Sequence, residues 1–189
     1  MITNNSQAGR LLLYLEKNYT YNPENGIVIR LNKTTWNSKV GIPVGISRKD
    51  GYLAIGFENR PILLHRAIWL IVYKKMPDAF IDHINGKKYD NRLCNLREAT
   101  KAQNGRNQPA RKNNKLGIKG VIFDKSRVKY VAQATHNKQH FNLGRFDKVE
   151  DAEKAYKDFA SKNHGEFYYF NEKTSVMEYS LVKVEKVAD

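Results

Sequence analysis

The segment 80–104, FIDHINGKKYDNRLCNLREATKAQN, places a carboxylate, Asp82, directly beside an imidazole, His83, and follows them with two primary amides, Asn95 and Asn104. These types suit phosphodiester hydrolysis, in which one set of groups holds a divalent cation and another deprotonates water near neutral pH. Asp and Asn oxygens are hard donors of the kind that Mg²⁺ or Mn²⁺ takes, and two protein ligands leave positions for water and phosphate oxygens. No other segment of the chain offers the combination.

For these groups to meet, the backbone must change element between them. A single helix over 91–107 fails: at roughly 100° per residue, the nine positions from Asn95 to Asn104 turn the two amides to opposite faces. Thr100 with Gln103 forms a capping-box pattern, so the sequence predicts a helix from Lys101, preceded by a short strand over 96–99. A first strand then covers 80–84 and a loop covers 85–95. Within that loop Asn85-Gly86 supplies a turn, and Asp90 and Asn91 are expected to satisfy local backbone groups. Upstream, Leu11 to Tyr14 reads as a short helix or an irregular segment, and 19–64 as short strands. Asn25-Gly26 and Asp50-Gly51 mark hairpin turns there. His65 to Tyr73 reads as a helix stopped by Met76-Pro77.

The 189 residues suffice for one ordinary domain or two small ones. A net charge of +14 with a pI near 9.8 points to a polyanionic partner, of which nucleic acid is the commonest for a basic chain of this size. The single cysteine, Cys94, excludes an intramolecular disulfide framework and a multi-cysteine zinc knuckle, and is most simply a small buried residue. The run Leu11 to Leu15 is too short for a signal-peptide core or a membrane span, so a soluble, cytoplasmic protein is expected. Residues 105–117 carry four Lys and Arg and no acid, among Asn, Pro and Gly, which reads as a basic linker.

With those residues placed, Asp82-His83-Ile84-Asn85-Gly86, Asp90-Asn91-Arg92, Asn95-Leu96-Arg97 and Asn104 resemble the HNH homing endonucleases of phages and mobile introns. The likeness begins at His65-Arg66 and covers about forty residues. It implies a ββα-metal fold in which His83 is the general base, Asn95 orients its imidazole, and Asp82 and Asn104 bind one Mg²⁺ or Mn²⁺. It also implies products with 5′-phosphate and 3′-hydroxyl ends. Asn104 stands where other branches of the superfamily have histidine, which makes tight zinc binding less expected. His65 opens the preceding helix, and a packing or hydrogen-bonding role is favoured there over ligation.

Downstream, Gly120-Val121, Tyr130-Val131-Ala132, Leu143-Gly144-Arg145-Phe146, and the series Glu150, Ala152, Ala155, Tyr156, Ala160 and Gly165 resemble an AP2 domain. The residues themselves predict strands over 120–124, 129–135 and 140–146, and a helix over 149–163. Ala152, Ala155, Tyr156, Phe159 and Ala160 give that helix one apolar face. A small sheet of this kind can enter the major groove. Expected DNA contacts are Lys119, Arg127, Lys129, Gln133, Thr135, Lys138, Asn142 and Arg145 around the sheet. Arg106, Arg111, Lys112 and Lys115 in the linker join them, with Arg92 and Arg97 in the first domain.

The expected organisation is α+β. A ββα-metal nuclease domain over 1–104, with preceding short strands and a helix, is followed by the linker, an AP2-like sheet packed on one helix over 118–171, and a tail over 172–189. The expected activity is that of a site-specific, metal-dependent endonuclease acting on double-stranded DNA, as a monomer or transient dimer and with no membrane partner. The alternative is a noncatalytic DNA-binding regulator that retains a nuclease scaffold.

Overall fold

The computed structural model describes residues 6–111 and 113–168, so Lys112 and the tail expected over 172–189 lie outside the described residues. The protein is a mixed α+β chain with small antiparallel sheets. It divides between Asn104 and Gly105 into two compact units, each with its own apolar core.

The first unit opens with α1 (Gln7–Asn18), whose Ser6 hydroxyl accepts the Gly9 N–H at 3.0 Å and so caps the helix. Leu11 and Leu15 are its buried stripe. The strands β1 (Tyr19–Asn22) and β2 (Ile27–Arg30) form a hairpin closed around Gly26. A second sheet follows, with β3 (Ile46–Ser47), β4 (Leu53–Phe57) and β5 (Arg60–Leu63) antiparallel in sequence order.

Helix α2 (Leu64–Tyr73) is the apolar centre of this unit, with Leu64, Ala67, Ile68, Trp69 and Leu70 all buried against α1 and the sheets. It ends at Lys74, which takes a left-handed conformation and returns its N–H to Leu70 O. That C-cap closes the helix before Pro77 is reached. The strands β6 (Phe80–His83) and β7 (Leu96–Ala99) pair antiparallel, Asp82 opposite Arg97 and His83 opposite Leu96. A 3-10 turn over Leu93–Asn95 delivers the chain into β7, which leads to α3 (Lys101–Arg106). The N-terminus of α3 is fixed reciprocally: Thr100 N–H donates to Gln103 Oε1 at 2.8 Å, and Gln103 N–H donates to Thr100 Oγ1 at 3.2 Å.

In the second unit β8 (Val121–Asp124), β9 (Lys129–His136) and β10 (Gln139–Phe146) form one antiparallel sheet with β9 in the middle. Asn137 and Lys138, both at positive φ, make the two-residue turn between β9 and β10. Helix α4 (Val149–His164) packs on the sheet through Ala152, Tyr156 and Ala160, which meet Val121, Ala132 and Ala134. Gly120 is required here, since a Cβ at this φ of +76° would lie 2.0 Å from the Tyr156 ring. The stretch expected as a linker is attached to this unit. Asn107 is buried, Leu116 packs on the core, and the Asn114 amide donates to Ile118 O and Val121 O.

Candidate active site

Strand alternation decides what Asp82 and His83 meet. Asp82 shares a face with its cross-strand partner Arg97, whose Nε and Nη2 donate to Oδ2 at 3.0 and 2.9 Å. The pair is deeply buried, with the side chains 2% and 10% exposed, so this charge-assisted contact replaces lost hydration. Arg97, expected at the DNA, is thus committed to Asp82 inside the unit.

His83 faces the other way, into a buried ring cluster. The His65 ring stands edge-on to it at 5.1 Å and 89°, and Tyr52 packs on both rings, 5.2 Å from His65 and 5.8 Å from His83. Lys88 Nζ lies 4.7 Å over the Tyr52 ring and donates to Asp50 O. His65 is itself 4% exposed in this cluster.

The hydrogen bond expected from Asn95 to the His83 ring is made instead by Asn91, with Oδ1 3.2 Å from His83 Nε2. His83 pairs with Leu96, which leaves Asn95 one position outside the ladder, in the 3-10 turn. There its Oδ1 accepts the Asn85 N–H at 3.0 Å, and its Nδ2 donates to Asn85 Oδ1 and Asp90 O. Asn95 therefore ties the loop 85–95 together at its base. The same turn leaves Cys94 exposed, correcting the expectation of a buried thiol.

Asn91 is 2% exposed and is held from several sides. Its Nδ2 donates to Tyr89 O, its own carbonyl accepts the Tyr21 hydroxyl at 2.9 Å, and Leu93 N–H donates to Pro23 O. Gly26 lies so close to this backbone that a Cβ there would stand 2.5 Å from Arg92 N. The β1–β2 hairpin is thus a buttress under the loop. Asn91, expected to satisfy local backbone groups, does so at Tyr89 O and also reaches the His83 ring, while nothing in the sequence points to Tyr21.

The amide orientation sets the imidazole tautomer. With Asn91 Nδ2 engaged by Tyr89 O, its Oδ1 faces the ring and can only accept, so Nε2 carries the hydrogen and Nδ1 the lone pair of neutral His83. Burial pushes the His83 pKa below its ordinary value, against the opposing pull of Asn91, Asp82 and Asp90. His65 is pushed to about 3, first by burial and then by the His83 and Arg66 charges. Both rings are neutral near pH 7. Asp90, gripped by Arg92 at Nε and Nη2, is held down to about 2.

The two residues expected as cation donors lie apart in sequence, Asp82 buried on β6 and Asn104 half-buried in α3. A carboxylate offers about four lone-pair positions, so Asp82 can serve Arg97 and a cation together. Among the described residues no group of three or more His, Cys, Asp and Glu could hold a metal ion, so a zinc-type cage is absent there.

The family description HNH endonuclease matches residues 63–106, which span α2, β6, β7 and α3. The chain contains an HNH endonuclease domain. Among known proteins it is 32% identical over 121 residues to an uncharacterized HNH endonuclease of Acanthamoeba polyphaga mimivirus, covering 63% of this chain and 62% of that protein. It is 29% identical over 107 residues to Protein 3.8 of Escherichia phage T7, covering 56% of this chain and 88% of that one. The chain thus spans less than two thirds of the mimivirus protein's length. No solved structure matches it. The HNH domain holds Asp82, His83, Asn91, Asn95, Arg97 and Asn104 together with His65.

In the second unit, Lys129, Gln133 and Thr135 alternate along β9 away from the buried Ala132 and Ala134, and Gln133 pairs with Asn142 on β10. Arg145, opposite Val131, shares that solvent face. Lys129 pairs with Asp147, and Arg127 with Asp124 at 3.1 Å. Lys138 sits at the hairpin tip. Arg111 and Lys115 are exposed, and Arg106 reaches Asn137 Oδ1. Lys119 is committed internally, its ammonium donating to the carbonyls of Gly105, Arg106 and Gln108, and burial lowers its pKa to about 8. Among the described residues no helix is long and apolar enough to cross a membrane.

Proposed function

We propose that this protein is a metal-dependent endonuclease of the homing type that hydrolyses double-stranded DNA. The observation that carries the proposal is the adjacent pair on β6. One strand turns a buried carboxylate to Arg97 and a neutral imidazole to Asn91, giving a metal-ligand donor and a general base in consecutive residues.

In this mechanism Asp82 and Asn104 would hold a Mg²⁺ or Mn²⁺ ion, which when bound would stabilise negative charge on the scissile phosphate and the departing 3′ oxygen. His83 takes a proton from the attacking water at Nδ1. Asn91 keeps Nε2 protonated and the ring aimed, and Asn95 positions both by bracing the loop. Arg97 fixes the Asp82 carboxylate. Attack of water on phosphorus with loss of the 3′ oxygen leaves a 5′-phosphate and a 3′-hydroxyl.

The second unit is proposed as an AP2-like DNA-binding domain. Its three-stranded sheet on one helix and the polar face of Lys129, Gln133, Thr135, Asn142 and Arg145 support that reading. With one His83 base per chain, one strand would be cut per visit, so two-strand cleavage would require two chains or two visits.

Digestion of plasmid and phage-genomic DNA by the purified chain, with and without Mg²⁺, tests the proposal. Metal-dependent nicking is expected, and His83→Ala is expected to lose it while still binding DNA. A folded chain that binds DNA but cuts none under any divalent metal would instead be the noncatalytic regulator.

A further inference from the structure

The loop between β2 and β3 carries the most exposed large apolar side chain of the described residues. Trp36 is 94% exposed, while the other tryptophan, Trp69, is 7% exposed in the core. Displaying an indole in water is unfavourable, because a large aromatic side chain gains stability when its apolar surface is removed from water. The turn that displays it is built to hold it there. Ser38 is buried; its Oγ accepts the Thr34 N–H at 2.9 Å and the Thr35 N–H at 3.1 Å and donates to Thr35 O, while its own N–H also reaches Thr35 O. Arg30 Nη1 reaches Lys39 O in the irregular segment that leaves the turn, at 3.5 Å. Trp36 is therefore the tip of a fixed turn.

Its surroundings specify the partner. Residues 25–49 contain five Lys and Arg and no Asp or Glu, and Lys33 and Lys39, three residues before and three after Trp36 in sequence, are exposed. An indole between two cations matches a duplex, in which phosphates flank a groove and bases offer stacking faces or a step into which an apolar wedge inserts. A second copy of this chain is the poorer match, since a two-fold contact would set the same all-cationic segment against itself.

We infer that the Trp36 turn is a DNA-binding wedge of the first unit, with the indole against bases and Lys33 and Lys39 on the flanking phosphates. The inference rests on the proposal that the protein acts on DNA, and deepens it: contact by this turn would unstack or bend the duplex locally. This contact is separate from the polar sheet face of the second unit.

The test uses the full chain carrying His83→Ala, so that DNA stays intact, with a mixed-sequence duplex at low salt. Because Trp69 is buried, acrylamide quenching of tryptophan emission reports mainly on Trp36. Duplex binding is expected to quench the indole and shield it from acrylamide. Trp36→Ala is expected to weaken binding about tenfold with an unchanged melting curve, and Trp36→Phe to recover part of that loss. If the parent binds the duplex while Trp36 stays fully quenchable and Trp36→Ala binds equally well, the wedge is refuted and the endonuclease proposal stands. If the parent binds no duplex at all, both fall. Shielding of Trp36 that depends on protein concentration and needs no DNA would make the turn a self-association face and overturn the inference.

Discussion

His83 and Asn91 are joined side chain to side chain inside the protein, Nε2 to Oδ1 at 3.2 Å, eight residues apart in sequence, the first ending β6 and the second inside the loop that follows. The contact converts a loop position into part of the proposed base. Asn91→Ala is therefore expected to lower the single-turnover cleavage rate by about 10- to 100-fold, the usual cost of removing a supporting hydrogen bond. DNA affinity should hold. A loss confined to affinity would show that Asn91 serves binding instead.

The hairpin under the loop makes a second expectation. Gly26→Ala drives a Cβ into the backbone at Asn91 and Arg92, at a φ of +74° that alanine itself resists. Cleavage should fall more than thermal stability. Tyr21→Phe, which removes only the hydroxyl on Asn91 O, should reproduce a milder form of the defect. Stopped-flow cleavage beside a thermal melt separates the two effects, and equal cleavage by both variants would remove the buttress from the mechanism.

How far these relationships were legible in the sequence depends on their range. The capping box at Thr100 and Gln103, the strand before it and the apolar face of α4 are local patterns, readable from spacing alone. Asn91 was not readable, because the sequence could not distinguish an amide satisfying its own turn from one reaching across to His83. Arg97 illustrates the same limit: a cation in a basic chain reads as a phosphate contact until the register places it opposite Asp82. Cys94 departs from expectation because residue type alone, cysteine being among the most buried, does not say which way a loop side chain points, and the 3-10 turn leaves this thiol at the surface. The Trp36 turn carries no periodic signal at all, and only its exposure makes it visible.

Breaking the Asp82–Arg97 pair from one side leaves a buried charge without its counterion. Arg97→Met is expected to destabilise the protein by about 3 kcal/mol. Adding Asp82→Asn to it should restore much of the stability, since the buried charge is then removed as well, while cleavage should stay lost with the carboxylate proposed to hold the metal. A double-mutant cycle by denaturant unfolding measures this coupling. Additive effects would mean the two side chains act independently.

The base predicts a pH profile. Burial lowers the His83 pKa, so the neutral ring persists below pH 6.5, and the acid limb of kcat/KM should lie below that value. The sign follows from the role: a base works deprotonated, and protonation on the acid side removes it. An acid limb above pH 6.5 would point to a different titrating group.

His164 gives the second unit an acid sensitivity of its own. Burial first, then the charges of Arg106, His136 and Lys119, pushes its pKa from 6.5 to about 4. Above pH 6.5 the ring is neutral both in the folded and in the unfolded chain. Between 6.5 and about 4 the unfolded chain binds a proton that the folded one does not, so stability falls as the pH drops through that window. His164→Phe keeps a ring against Phe159, whose centroid lies 6.1 Å away, but cannot take up the proton. Thermal melts across this range should show a shallower acid decline for the variant than for the parent. Parallel declines would place the acid sensitivity on other groups.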